Sequence, residues 1–317
     1  MKKYIISSND AQARLDKFLM KAVPALPAPL MQKYLRLKRI KVNDKRATGN
    51  QRLSEGDTVT LYINDEFFEP KEIKNAYLSI QPKLNIVYED ENILLVDKSP
   101  GMPVHEDANE KENTLINHIL AYLYQKGAWN PEDENTFIPA LCNRIDRNTG
   151  GIVIAAKNAP SLRVMNDKIK HRELKKYYLC AVHGSPKPAQ GLLEGYLFKD
   201  AVKNQVFVHP RSKPGAKYAA TKYRTLKQQG KLSLVECELI TGRTHQIRAQ
   251  MAAAGHPLLG DGKYGRNELN QGFHRNYQAL YSYKLTFAFT SPADILEYLN
   301  GKTFEVKSVP FVETYFR

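Results

Sequence analysis

The segment N-R-I-D-R-N-T-G-G (143–151) sets one carboxylate between two cations in front of an apolar run. Asp146 is flanked by Arg144 and Arg147, and the sequence G-I-V-I-A-A that follows predicts a buried strand. Adjacent cations favour the ionised form of a carboxylate, and the glycines allow a sharp backbone turn where the strand begins. Asp146 is therefore either an ion-paired loop residue or a carboxylate held charged for a ligand.

The segment L-I-T-G-R-T-H-Q-I-R (239–248) brings two arginines to the beginning of a helix. Its pattern predicts a strand, a Gly-Arg-Thr turn and a helix over about 245–254 that ends at Gly255. Arg243 and Arg248 stand near the positive end of that helix, which disfavours cations unless an anion binds them. The anion could be a carboxylate or an RNA phosphate, and ordinary surface placement is the alternative.

A third segment, K-K-Y-Y-L-C-A-V-H-G (175–184), opens a strand with two tyrosines. Because side chains alternate along a strand, Tyr177 and Tyr178 face opposite sides of the sheet, and one of them can point into a cleft. Packing in the core or at a sheet edge is the other interpretation.

No residue cluster in the sequence indicates a metal or a cofactor. His245 and His256, with Asp261, lack the spacing of a helical histidine pair, and a structural role fits them better. The glycines of G-D-G-K-Y-G (260–265) have the spacing of a dinucleotide loop but precede polar sequence instead of a helix, so they indicate turns. No paired-cysteine spacing occurs among Cys142, Cys180 and Cys237.

The composition is that of a folded chain of about two domains. Of the 317 residues, 42% are hydrophobic and 25% are charged, which excludes wholesale disorder. No apolar run approaches the ~18 residues that span a bilayer. The beginning M-K-K-Y-I-I-S-S-N-D lacks the apolar core of a secretory signal, so we expect a cytoplasmic protein that does not bind membranes.

The charge of the chain indicates a polyanionic partner. The formal net charge is +14, and residues 1–62 hold 13 Lys and Arg against 5 Asp and Glu. Such a bias fits a nucleic acid, although many proteins are basic only for solubility.

The basic N-terminal part predicts a small module of two helices and short strands. Apolar residues recur at helical spacing over 14–23 and 30–39, on either side of a proline-rich break, and strands are predicted over 40–43 and 58–63. Basic residues of the second helix and the following turn would share one cationic face: Lys33, Arg36, Lys38, Arg39, Lys45 and Arg46. A solvated helix surface without a ligand is the alternative.

The larger part of the chain follows a stretch of mixed charge over 64–80 that we interpret as a linker. Beyond it, strands predominate, with a hairpin predicted over 85–98 and helices over 114–125 and 161–171. Regular helical crossovers are few. The pattern therefore predicts an α+β fold, with a mixed, mainly antiparallel sheet in the domain over 81–317.

The N-terminal module resembles the S4-type RNA-binding domain. The resemblance rests on R-L-D-K-F-L, on L-M-Q-K-Y-L-R-L-K-R-I-K-V-N-D-K-R and on L-S-E-G-D-T-V. It implies that an S4-type α/β module covers residues 1–63. It also implies that the basic helix and the turn at Lys45 and Arg46 bind RNA phosphates through salt-sensitive contacts.

The remaining segments together resemble the RluA-type pseudouridine synthases, and with the N-terminal module they are most similar to the RluC and RluD type. Landmarks occur in the family order: D-K-S-P-G-M-P-V-H, N-R-I-D-R-N-T-G-G, K-Y-Y, T-G-R-T-H-Q-I-R and G-H-P-L-L-G-D-G-K-Y-G. The chain departs from the family pattern at Asn143, Gly150, Cys180, Ala249 and Gln250.

The resemblance assigns roles residue by residue. Asp146 takes the place of the catalytic aspartate, Tyr178 that of the active-site tyrosine, and Arg248 that of the basic partner of the aspartate. Arg144 takes the place of the arginine that fills the gap left by a flipped base. Neighbouring motif residues are expected to contact RNA: Arg147, Arg243, His245 and Gln246.

The activity implied by the resemblance is the isomerisation of uridine to pseudouridine in RNA, without metal or cofactor. The implied substrate is 23S ribosomal RNA, free or in a pre-ribosomal particle, and a monomer fits the absence of a coiled-coil pattern. Two alternatives are a base-flipping uracil glycosylase, which would use Asp146 only to cleave, and a non-catalytic RNA-binding or ribosome-assembly factor. The combination of aspartate, tyrosine and arginine favours an enzyme over the latter.

Overall fold

The chain builds two separate sheets in a computed structural model. The structure describes residues 1–69, 76–200, 202–203, 205–265, 267–271, 273 and 277–317. Among these residues, no helix is both long and apolar enough to cross a membrane.

The N-terminal part is a small antiparallel sheet covered by two helices. Its elements are β1 (Lys2–Ile5), α1 (Leu15–Ala22), α2 (Ala28–Arg36), β2 (Ile40–Val42), β3 (Lys45–Arg46) and β4 (Thr58–Leu61). The strand order is β1–β4–β2–β3. Strand β1 was not predicted, because it lies at the sheet edge and buries only Tyr4.

Helical spacing of apolar residues explains why α1 and α2 form, and both predicted helices are confirmed with bounds shifted by one to three residues. The second helix begins early because Pro29 lies in its first turn, where proline is tolerated. It ends early because Lys38 adopts a left-handed φ of 58°. The residues that the two helices bury are Leu15, Phe18, Leu19, Met31, Tyr34 and Leu35.

The larger part is organised around an eleven-stranded sheet. Its elements are β5 (Asn85–Glu89), β6 (Ile93–Lys98), α3 (Leu115–Gln125), β7 (Ala140–Leu141), β8 (Gly150–Ala156), α4 (Ala159–Lys170), β9 (Leu174–His183), β10 (Gln190–Asp200), β11 (Gln205–His209), β12 (Lys217–Gln229), β13 (Leu232–Leu239), α5 (Gln246–Ala253), β14 (Leu280–Phe287), β15 (Thr303–Glu305) and α6 (Pro310–Tyr315).

The strand order is β11–β10–β12–β13–β9–β14–β8–β6–β5, with β15 beside β14 and β7 beside β8. Strands β8 and β14 pair in parallel, and the other described pairs of this sheet are antiparallel. The predicted α+β class and the mixed, mainly antiparallel sheet are thereby confirmed.

Strand β8 is the centre of the larger part, because all seven of its residues are buried. Val153 belongs to the cluster that contains Ile119 of α3, whereas Ile152 and Ile154 belong to the cluster that contains Met165 of α4. Alternate side chains thus face helices on opposite sides of the sheet. This burial holds the loop before β8 in a fixed place.

Polar contacts join the two parts. The carboxylate of Asp10, which is 1% exposed, accepts hydrogen bonds from Asn135 Nδ2 at 2.7 Å and from Thr136 Oγ1 at 2.6 Å. Asn9 donates to Glu134 Oε1 at 2.6 Å. Within the described residues, no buried hydrophobic cluster includes members of both parts.

The stretch predicted as a linker changes packing partner along its length. Phe67 and Phe68 pack on the N-terminal hydrophobic cluster, whereas Tyr77 is buried in the cluster of the larger part. Both ends form short 3₁₀ helices, at Asp65–Phe68 and Ala76–Ser79. Residues 70–75 of the predicted linker lie outside the described residues.

Candidate active site

A cavity of about 470 Å³ lies where the loop before β8, the strand β9 and the beginning of α5 meet. These three elements contain the three segments that the sequence analysis singled out. Asp146, Tyr178 and Arg248 all line the cavity. The side chain of Asp146 is 30% exposed, so it is open to a ligand that enters from solvent.

Arg248 bridges two carboxylates. Its Nη1 donates to Asp146 Oδ2 at 3.0 Å, while Nε and Nη2 donate to Asp261 Oδ2 and Oδ1 at 2.7 and 2.9 Å. The ion pair between Asp146 and Arg248 that the family resemblance implied is therefore confirmed as a contact. Asp261 has no solvent exposure, so the guanidinium is oriented from behind by a rigid, bidentate partner.

Electrostatics keep this arrangement charged. Burial disfavours the charge on Arg248, but hydrogen bonds and the negative charges of Asp261 and Asp146 outweigh burial and raise the pKa of the guanidinium. Burial disfavours the ionised form of Asp261 as well, yet bonding to Arg248 holds the pKa of that carboxyl below its ordinary value. Arg248 thus presents a permanent positive charge to Asp146.

Two glycines let the loop that carries Asp146 approach β14. Gly151 has a φ of 113°, and a Cβ on it would lie 2.2 Å from the carbonyl oxygen of Ser282. A Cβ on Gly150 would lie 2.3 Å from the ring of Tyr281. The family pattern has serine where this chain has Gly150, and the departure has a steric reason here, since a serine would collide with this ring.

Lys98 binds the backbone of the loop that carries Asp146. Its Nζ, on a side chain that is almost fully buried, donates to the carbonyl oxygens of Ser99, Met102 and Arg147 at 2.9–3.0 Å. Burial lowers the pKa of Lys98 to about 7, although the negative charge of Asp146 acts in the opposite direction. Lys98 was not predicted as a site residue, although it belongs to the D-K-S-P-G landmark.

Tyr178 supplies an aromatic wall. It is buried and lines the cavity, and burial raises the pKa of its hydroxyl to about 12, so the ring stays neutral. Tyr177 faces the other side of the sheet, where Lys284 Nζ lies 4.6 Å from its ring centroid. The expectation that one of the two tyrosines points into a cleft is therefore confirmed for Tyr178.

His245 flanks the ion pair at the beginning of α5. Its Nε2 lies 3.7 Å from Asp146 Oδ2, and its Nδ1 lies 2.9 Å from the Tyr264 hydroxyl. Burial lowers the pKa of His245, against the opposing effect of Asp146. Tyr264 was not predicted, and only its place in the G-D-G-K-Y-G landmark could have indicated it.

Gln246 supports the turn before α5 and is not free at the surface. Its Oε1 accepts from the Thr241 hydroxyl and from the Arg243 backbone, and its Nε2 donates to the Ala220 carbonyl and the Thr221 hydroxyl. Both ends of this buried amide are used inside the protein. The structure thus gives Gln246 a positioning role at the lining of the cavity, and its contact with RNA stays a prediction.

Further cations surround the cavity. Arg144 is exposed at its lining, and Arg243 is partly exposed, with Nε bonded to the Tyr218 carbonyl at 3.1 Å. Arg147 lies outside the lining, and its Nη2 pairs with Asp107 at 2.7 Å. Two of these three predicted RNA-binding arginines therefore line the cavity.

The predicted cationic face of the N-terminal part is exposed. Each of its six members is open to solvent, and none forms an ion pair within the described part of the chain: Lys33, Arg36, Lys38, Arg39, Lys45 and Arg46. Arg39 stacks on Tyr34, with its guanidinium carbon 5.6 Å from the ring centroid.

No group of three or more His, Cys, Asp or Glu among the described residues is arranged to hold a metal ion. Asp261 and His245, which the sequence analysis weighed as metal ligands, bond instead to Arg248 and Tyr264.

Comparison with known proteins identifies relatives of both parts of the chain. The family described as RNA pseudouridylate synthase matches residues 92–253, and the S4 domain matches residues 13–59. An uncharacterized RNA pseudouridine synthase of Mycoplasma genitalium is 33% identical, over 98% of this chain and 97% of that protein. Ribosomal large subunit pseudouridine synthase C of Rickettsia bellii is 33% identical, over 84% of this chain and 87% of that one.

A solved structure shares the fold over about three quarters of this chain. Human RNA pseudouridylate synthase domain containing 1 superposes with a TM-score of 0.54 at 19% sequence identity, over 74% of this chain and 96% of that one. With a family match over residues 92–253 and a relative that is 33% identical over nearly the whole length, the chain belongs to the RNA pseudouridylate synthase family and carries an N-terminal S4 domain.

Proposed function

We propose that this enzyme isomerises uridines of large-subunit ribosomal RNA to pseudouridine and that Asp146 is the residue that carries out the reaction. The observation that carries the proposal is the contact of Asp146 with Arg248 at 3.0 Å in an open cavity, with Asp261 anchoring the arginine from behind. A carboxylate that is held next to a permanent cation and yet remains 30% exposed suits a group that acts on a ligand.

The reaction conserves all atoms of the nucleotide. The bond between uracil N1 and ribose C1′ breaks, the base rotates, and a bond forms between C5 and C1′. The proton on C5 is lost and N1 gains one, so the balance needs neither an oxidant nor an energy source. Asp146 acts either as a nucleophile at the sugar or base or as the base that removes a ribose proton. Arg248 contacts this carboxylate at 3.0 Å in both cases.

The target base must leave the RNA stack, which costs a few kcal/mol. The ring of Tyr178 offers a neutral aromatic face to the extruded uracil, since it lines the cavity two strands away from Asp146. Arg144 is exposed at the lining, as required of a side chain that fills the space vacated by the base.

The substrate class rests on the relatives and on charge. Proteins named ribosomal large subunit pseudouridine synthase C align over most of this chain. The exposed cations of the S4 domain suit RNA phosphates, which favours a large structured RNA. We place the enzyme in the cytoplasm as a monomer that acts on ribosomal RNA, free or in a pre-ribosomal particle. Sedimentation of the enzyme alone tests whether it is a monomer. Sedimentation together with pre-ribosomal particles tests whether it binds them.

Replacing Asp146 tests the proposal directly. We expect Asp146→Asn to bind a large-subunit ribosomal RNA transcript with wild-type affinity and to form pseudouridine at least about 10³-fold more slowly, because the amide is neither a nucleophile nor a base. Chemical mapping of pseudouridine in the transcript measures the rate.

Three outcomes contradict the proposal. A wild-type rate in Asp146→Asn rules out the assigned carboxylate. Release of free uracil by the wild-type enzyme indicates a glycosylase. A cellular defect of the deletion strain that Asp146→Asn fully corrects indicates a non-catalytic assembly factor.

A further inference from the structure

Lys176 is a cation of the cavity that the mechanism above leaves unused. It precedes Tyr178 by two residues in β9, so the two side chains share one face of the sheet, and both line the cavity. Its backbone is held between Leu239 of β13 and Leu285 of β14. A strand paired on both sides fixes the place of this side chain.

The described residues place no carboxylate in contact with the ammonium of Lys176. Among the described lining residues Asp146 is the only carboxylate, and it is bonded to Arg248. Within the described part of the chain, Lys176 takes part in no hydrogen bond or ion pair of its side chain. Burial lowers the pKa of Lys176, because it disfavours the charged form of the side chain. A ligand atom with negative charge would supply the missing partner.

Lys176 differs in its solvent exposure from two other cations of the cavity. Arg144 and Lys199 are exposed, which suits phosphates, since phosphates remain partly hydrated. Lys176 is half-buried, and its partner across the strand pair, the apolar Leu239, lines the cavity as well. A side chain in this place is available to a base that is extruded into the cavity.

We propose that Lys176 is a further catalytic residue, which donates a hydrogen bond to a carbonyl oxygen of the extruded uracil. When the N1–C1′ bond breaks, its electron pair goes to uracil, and the negative charge spreads over N1 and the carbonyl oxygens. The ammonium keeps its protons and stabilises that charge in a cavity partly shielded from water. This inference rests on the proposed function, because it requires the cavity to be the base pocket.

Three variants test the inference on a large-subunit ribosomal RNA transcript. Lys176→Met keeps the length of the side chain and removes the charge, Lys176→Arg keeps the charge, and Lys175→Met is the control. Lys175 is exposed, on the opposite face of the same strand. Single-turnover rates at saturating enzyme, affinities at several salt concentrations and thermal unfolding are measured for each.

We expect Lys176→Met to lower the single-turnover rate about 10²–10³-fold, the loss typical of one donor to a developing anion. Its RNA affinity should stay within about twofold of wild type and its salt dependence unchanged. Lys176→Arg should recover at least about tenfold of the lost rate, and Lys175→Met should match wild type.

Two results overturn the inference. One is a wild-type rate in folded Lys176→Met; the other is a normal saturating rate with weaker binding and a salt slope lower by about 1, which would assign Lys176 to a phosphate. If Lys176→Met unfolds, the rates of Lys176→Gln and Lys176→Arg are compared, because only the latter retains the charge. The inference requires Lys176→Arg to be faster than Lys176→Gln, and equal rates contradict it. An active Asp146→Asn would refute the proposed function itself, whereas an inactive Asp146→Asn beside a fully active Lys176→Met refutes this inference alone.

Discussion

At the scale of single residues, the site is organised by the guanidinium of Arg248. Three of its nitrogens bond to carboxylates, two of them to the fully buried Asp261. A buried bidentate pair fixes the plane of the guanidinium, so that Nη1 can point in only one direction, toward Asp146. Asp261 therefore determines how Arg248 meets Asp146, although it is separated from the cavity by the arginine.

We expect Asp261→Asn to weaken both catalysis and folding. The amide keeps one acceptor but loses the charge that compensates buried Arg248, so the free energy of unfolding should fall by about 3 kcal/mol. The rate of pseudouridine formation should fall about 10²-fold, because a misdirected guanidinium no longer holds Asp146 in place. Urea unfolding and single-turnover assays measure the two effects.

Asp107→Asn is the matched control, since it removes a carboxylate from the exposed pair with Arg147. Surface pairs contribute at most ~1 kcal/mol, so its stability should stay close to wild type. Equal effects of the two substitutions would show that Asp261 has no special position.

Motif residues were predictable only where the family pattern supplied their partners. Asp146 and Arg248 are 102 positions apart, and neither composition nor spacing could have joined them without the resemblance. Asp261 was weighed as a metal ligand with His245 and His256 and set aside on spacing, and its pairing with Arg248 was not predicted, because a carboxylate near histidines gives the same sequence pattern whether it binds a metal or an arginine. The roles of Tyr178 and Arg144 stay predictions.

At the scale of elements, the close pairing of β8 and β14 positions the loop of Asp146. The parallel register sets Gly150 against Tyr281 and Gly151 against Ser282. A side chain at either glycine would displace β14, and with it the sheet that carries Tyr178 on the neighbouring β9. The glycines of the Thr-Gly-Gly sequence thus allow β8 to approach β14 closely, in addition to allowing the backbone turn before β8.

Gly151→Ala should destabilise the fold by at least about 1–3 kcal/mol. Its Cβ would overlap the Ser282 carbonyl oxygen at 2.2 Å, and its φ of 113° is strained for alanine. Gly262→Ala is the control, because nothing lies within 4 Å of its Cβ position. Urea unfolding of both variants tests this steric account, and equal stabilities would contradict it.

Elements were predictable where burial imposes a period. Helix α3 and strand β8 were predicted within one residue of their bounds, because one is amphipathic and the other is apolar throughout. Strands β10 and β11 were not predicted. They lie at the end of the sheet, bury few side chains and depend on ladder hydrogen bonds with β12 and each other, which leave no hydrophobic pattern in the sequence.

At the scale of the whole molecule, apolar packing within each part contrasts with polar contact between them. Each part has its own hydrophobic clusters, and the contact consists of directional hydrogen bonds around Asp10. Hydrogen bonds to a buried carboxylate specify orientation more than affinity. The sequence did not predict this contact, because Asp10 and Asn135 are ordinary polar residues 125 positions apart.

The S4 domain should therefore add RNA affinity without entering the chemistry. Replacing four cations of its second helix region by glutamine should weaken binding of the ribosomal RNA transcript at moderate salt. The slope of log affinity against log salt should fall by about 1 for each phosphate that the variant no longer binds. The four residues are Lys33, Arg36, Lys38 and Arg39. The single-turnover rate on a short, saturating RNA should not change, because Asp146 and its cavity belong to the other part.

A lower net charge alone must be distinguished from removal of the cationic face. Glutamine at four exposed lysines of the larger part removes the same charge and leaves the S4 domain intact: Lys187, Lys231, Lys302 and Lys307. A general electrostatic attraction predicts equal decreases of affinity in the two variants, since long-range fields depend on summed charge. Direct binding of phosphates predicts a larger decrease and a lower salt slope only for the S4 variant. Unchanged RNA binding of the S4 variant would show that the cationic face does not bind RNA.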